Sequence, residues 1–204
     1  LIEQIEIQYP KSDTSKTKIV NSTHFNRLIK LIEKTKNEGG KIIYGGEKDE
    51  NINYLSPTLI DNISLDSPLF QEEIFGPILP ILTYTDLEMV VETINKTEKP
   101  LALYVFSKSR KNQKFILNNT SSGTSAINET TIQFAQPHLP FGGVNYSGIG
   151  KAHGKYGFQE FSNIRSVLKQ RVGLTTLKII FPPYTNFKKK LITKVEKRIK
   201  SPRV

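Results

Sequence analysis

An α/β fold with a largely parallel sheet flanked by helices is predicted by three features of this 204-residue chain. Short runs rich in β-branched and aromatic residues alternate with stretches in which apolar residues recur at helical spacing. The connections between them are short enough for strand–helix–strand crossovers. One run, "LALYVFS" at 101–107, is apolar almost throughout, as a strand covered on both faces would be. A hydrophobic content of 37% supplies enough apolar material for a packed core.

In chain order, residues 1–9 read as a short alternating piece ended by Pro10, and Lys11 to Lys18 as a polar linker. Phe25, Leu28, Ile29 and Ile32 then recur on one helical face, with Ser22 or Thr23 as the cap and Gly39-Gly40 closing the turn. "KIIYGG" at 41–46 is a short strand or turn. "YLSPTLID" at 54–61 is a strand interrupted by Pro57, which favours an edge or entry position. "LPILTYTD" at 79–86 predicts a strand. Leu87, Val90, Val91 and Ile94 predict a helix, with Thr85 and Glu88 in capping-box spacing. After "LALYVFS", residues 109–123 return to helix and "GTSAINETT" at 123–131 to strand.

Composition narrows the chemistry. There is no cysteine, so disulfides, thiolate metal sites and thiol nucleophiles within these residues are excluded. The three histidines, His24, His138 and His153, lack metal-binding spacing, and no metal site is expected. The net charge of +10 is concentrated at the end, where Lys188 to Val204 hold eight bases against Glu196. No run of 18 apolar residues and no charged-then-apolar leader occurs, so neither a spanning helix nor a secretory signal is expected and a cytoplasmic location is.

Two stretches carry candidate chemistry. "FQEEIFGP" at 70–77 places adjacent carboxylates before an apolar pair and a Gly-Pro stop. Adjacent side chains point to opposite sides of a strand and diverge by about 100° on a helix, so Glu72 and Glu73 do not converge on one proton or metal. One working carboxylate is the better reading. The glycine cluster "LPFGGVNYSGIGKAHGKYG" at 139–157 is a built loop. It fits neither the dinucleotide fingerprint nor a phosphate loop, because Lys151 is not followed by Ser or Thr in the required frame.

Taken together, "QEEIFGP", "LALYVFS" and "LPFGGVNYSGIG" at 139–150 resemble the aldehyde dehydrogenase superfamily. The exit "HGKYGFQEFSNIRSV" at 153–167 is similar to the class that includes fatty, other long-chain and aromatic aldehyde dehydrogenases. The resemblance runs from about Lys18 to Lys169, and more faintly through "FPPYTNFK". It implies NAD(P)-dependent oxidation of an aldehyde to a carboxylate, through a cysteine thiohemiacetal and a thioester hydrolysed by glutamate-activated water. This chain departs from that pattern in having no cysteine. It is therefore expected to be the C-terminal part of such an enzyme, inactive alone, with no catalytic residue of its own.

Carried over residue by residue, the resemblance implies that Glu73 accepts hydrogen bonds from the nicotinamide ribose of NAD or NADP. An ionised carboxylate, being acceptor-only, suits both hydroxyls of a diol. Phe75 is implied to pack beside the nicotinamide, with Gly76 and Pro77 turning the chain away. Phe141 is implied to line the aldehyde passage, with Gly142 and Gly143 shaping its loop. Asn128 matches a frequent family asparagine and is expected to be structural; His138 and His153 are expected to be loop histidines.

The expected organisation is 1–162 as part of the catalytic domain, 163–172 as an oligomerisation strand and 173–204 as a C-terminal extension. "NIRSVLKQ" at 163–170 resembles a strand shared across subunits, which implies a homodimer. In the extension, Phe187, Leu191, Val195 and Ile199 form a stripe amid bases. It reads either as a helix lying peripherally on an anionic membrane through 186–204, or as a soluble helix with a solvated face. Nucleic acid is not expected, since the body lacks a basic-aromatic platform. Besides the enzyme, a non-catalytic remnant acting as an interaction module remains open; the reading frame upstream of Leu1 separates the two.

Overall fold

The computed structural model describes residues 1–10, 17–173, 175–179 and 181–200. Helices α1 (Ile2–Gln8), α2 (Ser22–Asn37), α3 (Pro68–Gln71), α4 (Leu87–Lys96), α5 (Arg110–Asn119), α6 (Ile132–Ala135), α7 (Gly154–Glu160) and α8 (Asn186–Lys200) are separated by short strands. The strands are β1 (Lys41–Tyr44), β2 (Lys48–Asp49), β3 (Tyr54–Leu55), β4 (Thr58–Asp61), β5 (Ile78–Pro80), β6 (Ala102–Val105) and β7 (Thr124–Ile127). The chain divides into two units, Leu1–Lys99 with Val105–Ser121, and Pro100–Tyr104 with Ser122–Val204.

In the first unit, α2 supplies the core. Phe25, Leu28, Leu31 and Ile32 are buried with Leu55, Ile60, Leu69 and Ile78, so the helical face read from the sequence forms, with Leu31 rather than Ile29 fully inside. Asn21, not Ser22 or Thr23, caps this helix: its Oδ1 accepts the His24 N–H at 2.9 Å. The other end is a Schellman turn. Gly39, at φ +101°, donates to the Lys36 carbonyl and Gly40 to that of Thr35.

The sheet departs from the largely parallel one expected. β1, β4 and β5 form a three-stranded sheet in which β1–β4 is antiparallel and β4–β5 parallel. Connection explains the directions: β1 returns to β4 through the antiparallel β2–β3 ribbon, whereas β4 reaches β5 by a crossover containing α3. β6 and β7 form a separate two-stranded sheet.

Other expectations are corrected locally. Residues 2–8 form α1, because Ile2 and Ile5 sit at helical spacing among Glu and Gln. The strand expected at 79–86 is confined to Ile78–Pro80: β4 ends at Asp61, Asn62 turns left-handed at φ +55°, and residues beyond Ile81 find no ladder. Asp86, not Thr85, caps α4, accepting the Met89 N–H at 2.7 Å. "LALYVFS" is not covered on both faces, since Leu101, Tyr104 and Phe106 are exposed. The strand expected at 163–170 concerns pairing with a second copy; in the single chain these residues are exposed, Leu168 at 94%, as an unpaired strand would be.

Within the extension, α8 forms, with Leu191 half-buried and Phe187 and Val195 exposed. Ile199's side chain and residues 201–204 lie outside the described residues, as do 11–16 of the expected linker. Among the described residues no helix is long and apolar enough to cross a membrane.

Candidate functional site

In the first unit, residues 72–77 link α3 to β5 without regular structure. One helix residue organises them. Arg27 on α2 bonds through Nη1 to Glu72 Oε2 at 2.9 Å and to the Glu73 carbonyl at 3.4 Å, and through Nη2 to the Ile74 carbonyl. Glu72 is thus committed to an ion pair with Arg27. The Glu73 carboxylate is exposed and has no hydrogen bond or ion pair among the described residues. The two acids serve different ends, as their adjacency requires.

Phe75 follows at φ +44°, a region that bulky residues rarely occupy, and the residue is 77% exposed. Both sides of it are fastened. Before it, Arg27 grips two carbonyls; after it, Gly76 lies so close to α2 that a Cβ there would come within 2.5 Å of Leu28 Cδ1. The Pro77 carbonyl then accepts the Thr58 N–H at 2.8 Å, tying the turn to β4. Neighbouring residues Arg27 and Leu28 therefore bracket an aromatic ring that the fold keeps in solvent, a form of local strain that surrounding contacts must hold.

The second unit gathers the glycine loop. Phe141 pairs with Ala152 in both directions, its N–H donating at 3.2 Å and its carbonyl accepting at 2.6 Å. Its ring stacks on His153, centroids 5.6 Å apart at 18°, and meets Phe134 edge-on at 5.0 Å. Phe134 also meets His153 at 5.2 Å. His153, read from sequence as a loop residue, belongs to this aromatic cluster and sits at φ +77°. His138 is exposed, and Asn128 turns the chain after β7 at φ +55°, in keeping with a structural role.

Gly142 and Gly143 are required by close backbone approach, since a Cβ on either would overlap the Gly150 or Ser147 carbonyl. Lys151, set aside as a phosphate-loop lysine, donates from Nζ to the carbonyls of Gly123 (3.0 Å), Gly142 (2.7 Å) and Gly143 (3.2 Å). Nearby, Gln133 is buried, and its Nε2 bonds the Tyr104 hydroxyl at 3.1 Å. Among the described residues no three His, Cys, Asp or Glu side chains gather in a way that could hold a metal ion.

In the first stretch an acceptor-only carboxylate with no partner among the described residues stands two residues from an exposed ring on a fixed backbone. Arg27 is not singled out by the sequence, and the partners of Lys151 and His153 are not legible in it, because the fold brings them together.

Residues 2–167 match the model of the aldehyde dehydrogenase family. The chain is 40% identical over 191 residues to a Rattus norvegicus protein, aldehyde dehydrogenase family 3 member B1, covering 93% of this chain and 40% of that one. Among solved structures, the substrate-bound Staphylococcus aureus AldH superposes with a TM-score of 0.83 at 38% identity, over 96% of this chain and 42% of that one. An NAD+ complex of a Bacillus cereus aldehyde dehydrogenase gives 0.69 at 30% identity, over 77% and 32%. The chain spans between 36% and 40% of the length of the first curated relatives it matches.

Proposed function

The chain belongs to the aldehyde dehydrogenase family, and from that premise we propose that it forms the C-terminal part of an enzyme oxidising an aldehyde to a carboxylate with NAD or NADP. The catalytic thiolate comes from chain outside these 204 residues, which hold no cysteine. The observation that carries the reading is Phe75, an exposed ring held at φ +44° beside the uncommitted Glu73 carboxylate. Residues held in sparsely populated backbone regions cluster at active sites and ligand clamps, which is what motivates the reading.

The dinucleotide, when bound, supplies the hydride acceptor. Glu73 accepts hydrogen bonds from ribose hydroxyls, and its charge strengthens them. Phe75 presents an apolar face that limits the positions a planar ring can take and keeps water from it. Arg27 and Gly76 keep both in place. Phe141, with His153 and Phe134 behind it, walls the aldehyde passage. Residues 163–170 add a strand to the edge of a second copy, which would bury Ile164, Val167 and Leu168, all exposed in the single chain.

The relatives are aldehyde dehydrogenases, so the non-catalytic module is not favoured. Nothing beyond α8 itself supports a membrane surface as partner for 186–204. The test is Glu73→Gln and Phe75→Ala in the complete enzyme. Loss of charge-assisted hydrogen bonds of about 1.5–3 kcal/mol raises the KM for the dinucleotide about 10- to 100-fold in Glu73→Gln. Phe75→Ala slows single-turnover hydride transfer. Unchanged constants in both variants would sink the assignment.

A further inference from the structure

Three carbonyl oxygens, from Gly123, Gly142 and Gly143, point at one spot, and the Lys151 ammonium occupies it. Such convergence is electrostatically unfavourable unless a cation answers it, because each carbonyl presents the negative end of its dipole. An ammonium has three N–H donors and no acceptor, so the match is one to one. The glycines make the convergence possible: a Cβ on Gly123 would overlap the Gly142 carbonyl, and one on Gly142 would come within 3.1 Å of the Lys151 side chain itself. The backbone of Lys151 is fixed too, its N–H donating to Glu160 Oε1 at 3.2 Å.

Residues 151–153 thus grip the Phe141 loop in three ways in succession. Lys151 gathers the carbonyls just after Phe141, Ala152 exchanges two backbone hydrogen bonds with Phe141, and His153 stacks on its ring. We propose that Lys151 is a positioning residue for the Phe141 wall, a built-in cation whose hold on the glycine carbonyls sets how bulky an aldehyde the site admits. This rests on the reading of Phe141 as a wall of the aldehyde passage. Lys151 touches neither the Phe141 ring nor the chemistry; it acts through the backbone of Gly142 and Gly143. A neutral side chain of similar length would leave three carbonyls facing one another, and the loop would shift to separate them.

The experiment compares wild type, Lys151→Met, Phe141→Ala and the double variant in the complete enzyme. The first readout is ligand-free amide exchange, because Phe141, Val144 and Ala152 N–H groups are all hydrogen-bonded in this loop. Lys151→Met is expected to speed exchange across 139–152 while leaving peptides from 154–160 unchanged. The second is kcat/KM for linear aldehydes from propanal to decanal and for benzaldehyde. Lys151→Met shifts the ratio of large to small substrates by about tenfold, leaves the dinucleotide KM within about twofold, and adds little to Phe141→Ala. Wild-type exchange, or wild-type selectivity where Phe141→Ala alters it, overturns the proposal. If Phe141→Ala leaves selectivity unchanged, the reading of Phe141 as a substrate wall is what fails, and exchange still reports on the hold. Should Lys151→Met not fold, Lys151→Arg replaces it. A planar fork matches three convergent carbonyls poorly, so a folded Lys151→Arg with wild-type exchange and selectivity also overturns the proposal.

Discussion

Arg27→Ala removes the ion pair to Glu72 and the bonds to the Glu73 and Ile74 carbonyls in one change. The pair has side-chain exposures of 29% and 47%, so it contributes only about 0.2–1 kcal/mol. Hydrogen bonds from a charged donor contribute more, about 1.5–3 kcal/mol each, but these lie where water competes, and about 2 kcal/mol for the whole clamp is the appropriate figure. Phe75 at positive φ stores about 1–3 kcal/mol that opening releases. With Arg27 in place the clamp, together with the Thr58–Pro77 bond, holds the turn against this strain; without Arg27 the strain loses its main opponent, and the turn opens locally while the α2 core stays intact. A loss of about 2 kcal/mol corresponds to roughly a 30-fold rise in the open population. Chymotrypsin reads this directly, because it cleaves after aromatic residues and Phe75 is exposed. Cleavage between Phe75 and Gly76, followed by mass spectrometry, should be about 30-fold faster in Arg27→Ala and at most about fivefold faster in Glu72→Gln, which loses the ion pair alone. Equal rates in Arg27→Ala and wild type would refute the clamp. So would faster cleavage at core sites in the same proportion.

Gly76→Ala drives a Cβ to 2.5 Å and 2.8 Å from the two Cδ atoms of fully buried Leu28. Overpacking of about 1–3 kcal/mol is expected, seen as a fall of about 2–4 °C per kcal/mol in the thermal midpoint. Thr58→Val keeps the shape of a buried side chain but strips partners from the Gly46 N–H and the Ser56 carbonyl. It should destabilise by about 1–3 kcal/mol in urea titration, with Thr58→Ser largely restoring stability. Tyr54 ionises above its ordinary value, because of burial first and then the charges of Glu47 and Tyr44. The unfolded chain gives up that proton from about pH 10, so the contribution is intact below that pH and is lost as pH rises through the folded value. Tyr54→Phe should therefore show a shallower decline in urea midpoint between about pH 9.5 and 11; identical slopes would exclude the effect.

Local features were the most legible. The apolar face of α2 follows from spacing alone, and the Gly39-Gly40 stop from a residue's freedom to adopt positive φ. Caps were less so, since Asn21, Ser22 and Thr23 can all accept an N–H and only the final backbone selects one. Strand direction was misread because an apolar run does not encode its neighbour: β4 pairs antiparallel on one side and parallel on the other. Glu73 and Phe75 are singled out by a motif, but Arg27 is not, since its partners lie 45 to 47 residues away. Lys151 shows the same limit. Its sequence neighbourhood argues against a phosphate loop but does not reveal what the lysine does instead, which is to donate to three carbonyls of its own chain.

The stretch from Glu72 to Pro77 divides its labour by position. Arg27, Leu28, Gly76 and Pro77 form a frame that faces inward, while the side chains of 73 and 75 project outward from it. Altering the surface the loop presents and altering whether the loop forms are therefore separate mutational problems. Substitutions at 73 leave the frame untouched, those at 75 change the strain of its positive φ, and those at 27 or 76 remove or overpack the frame itself.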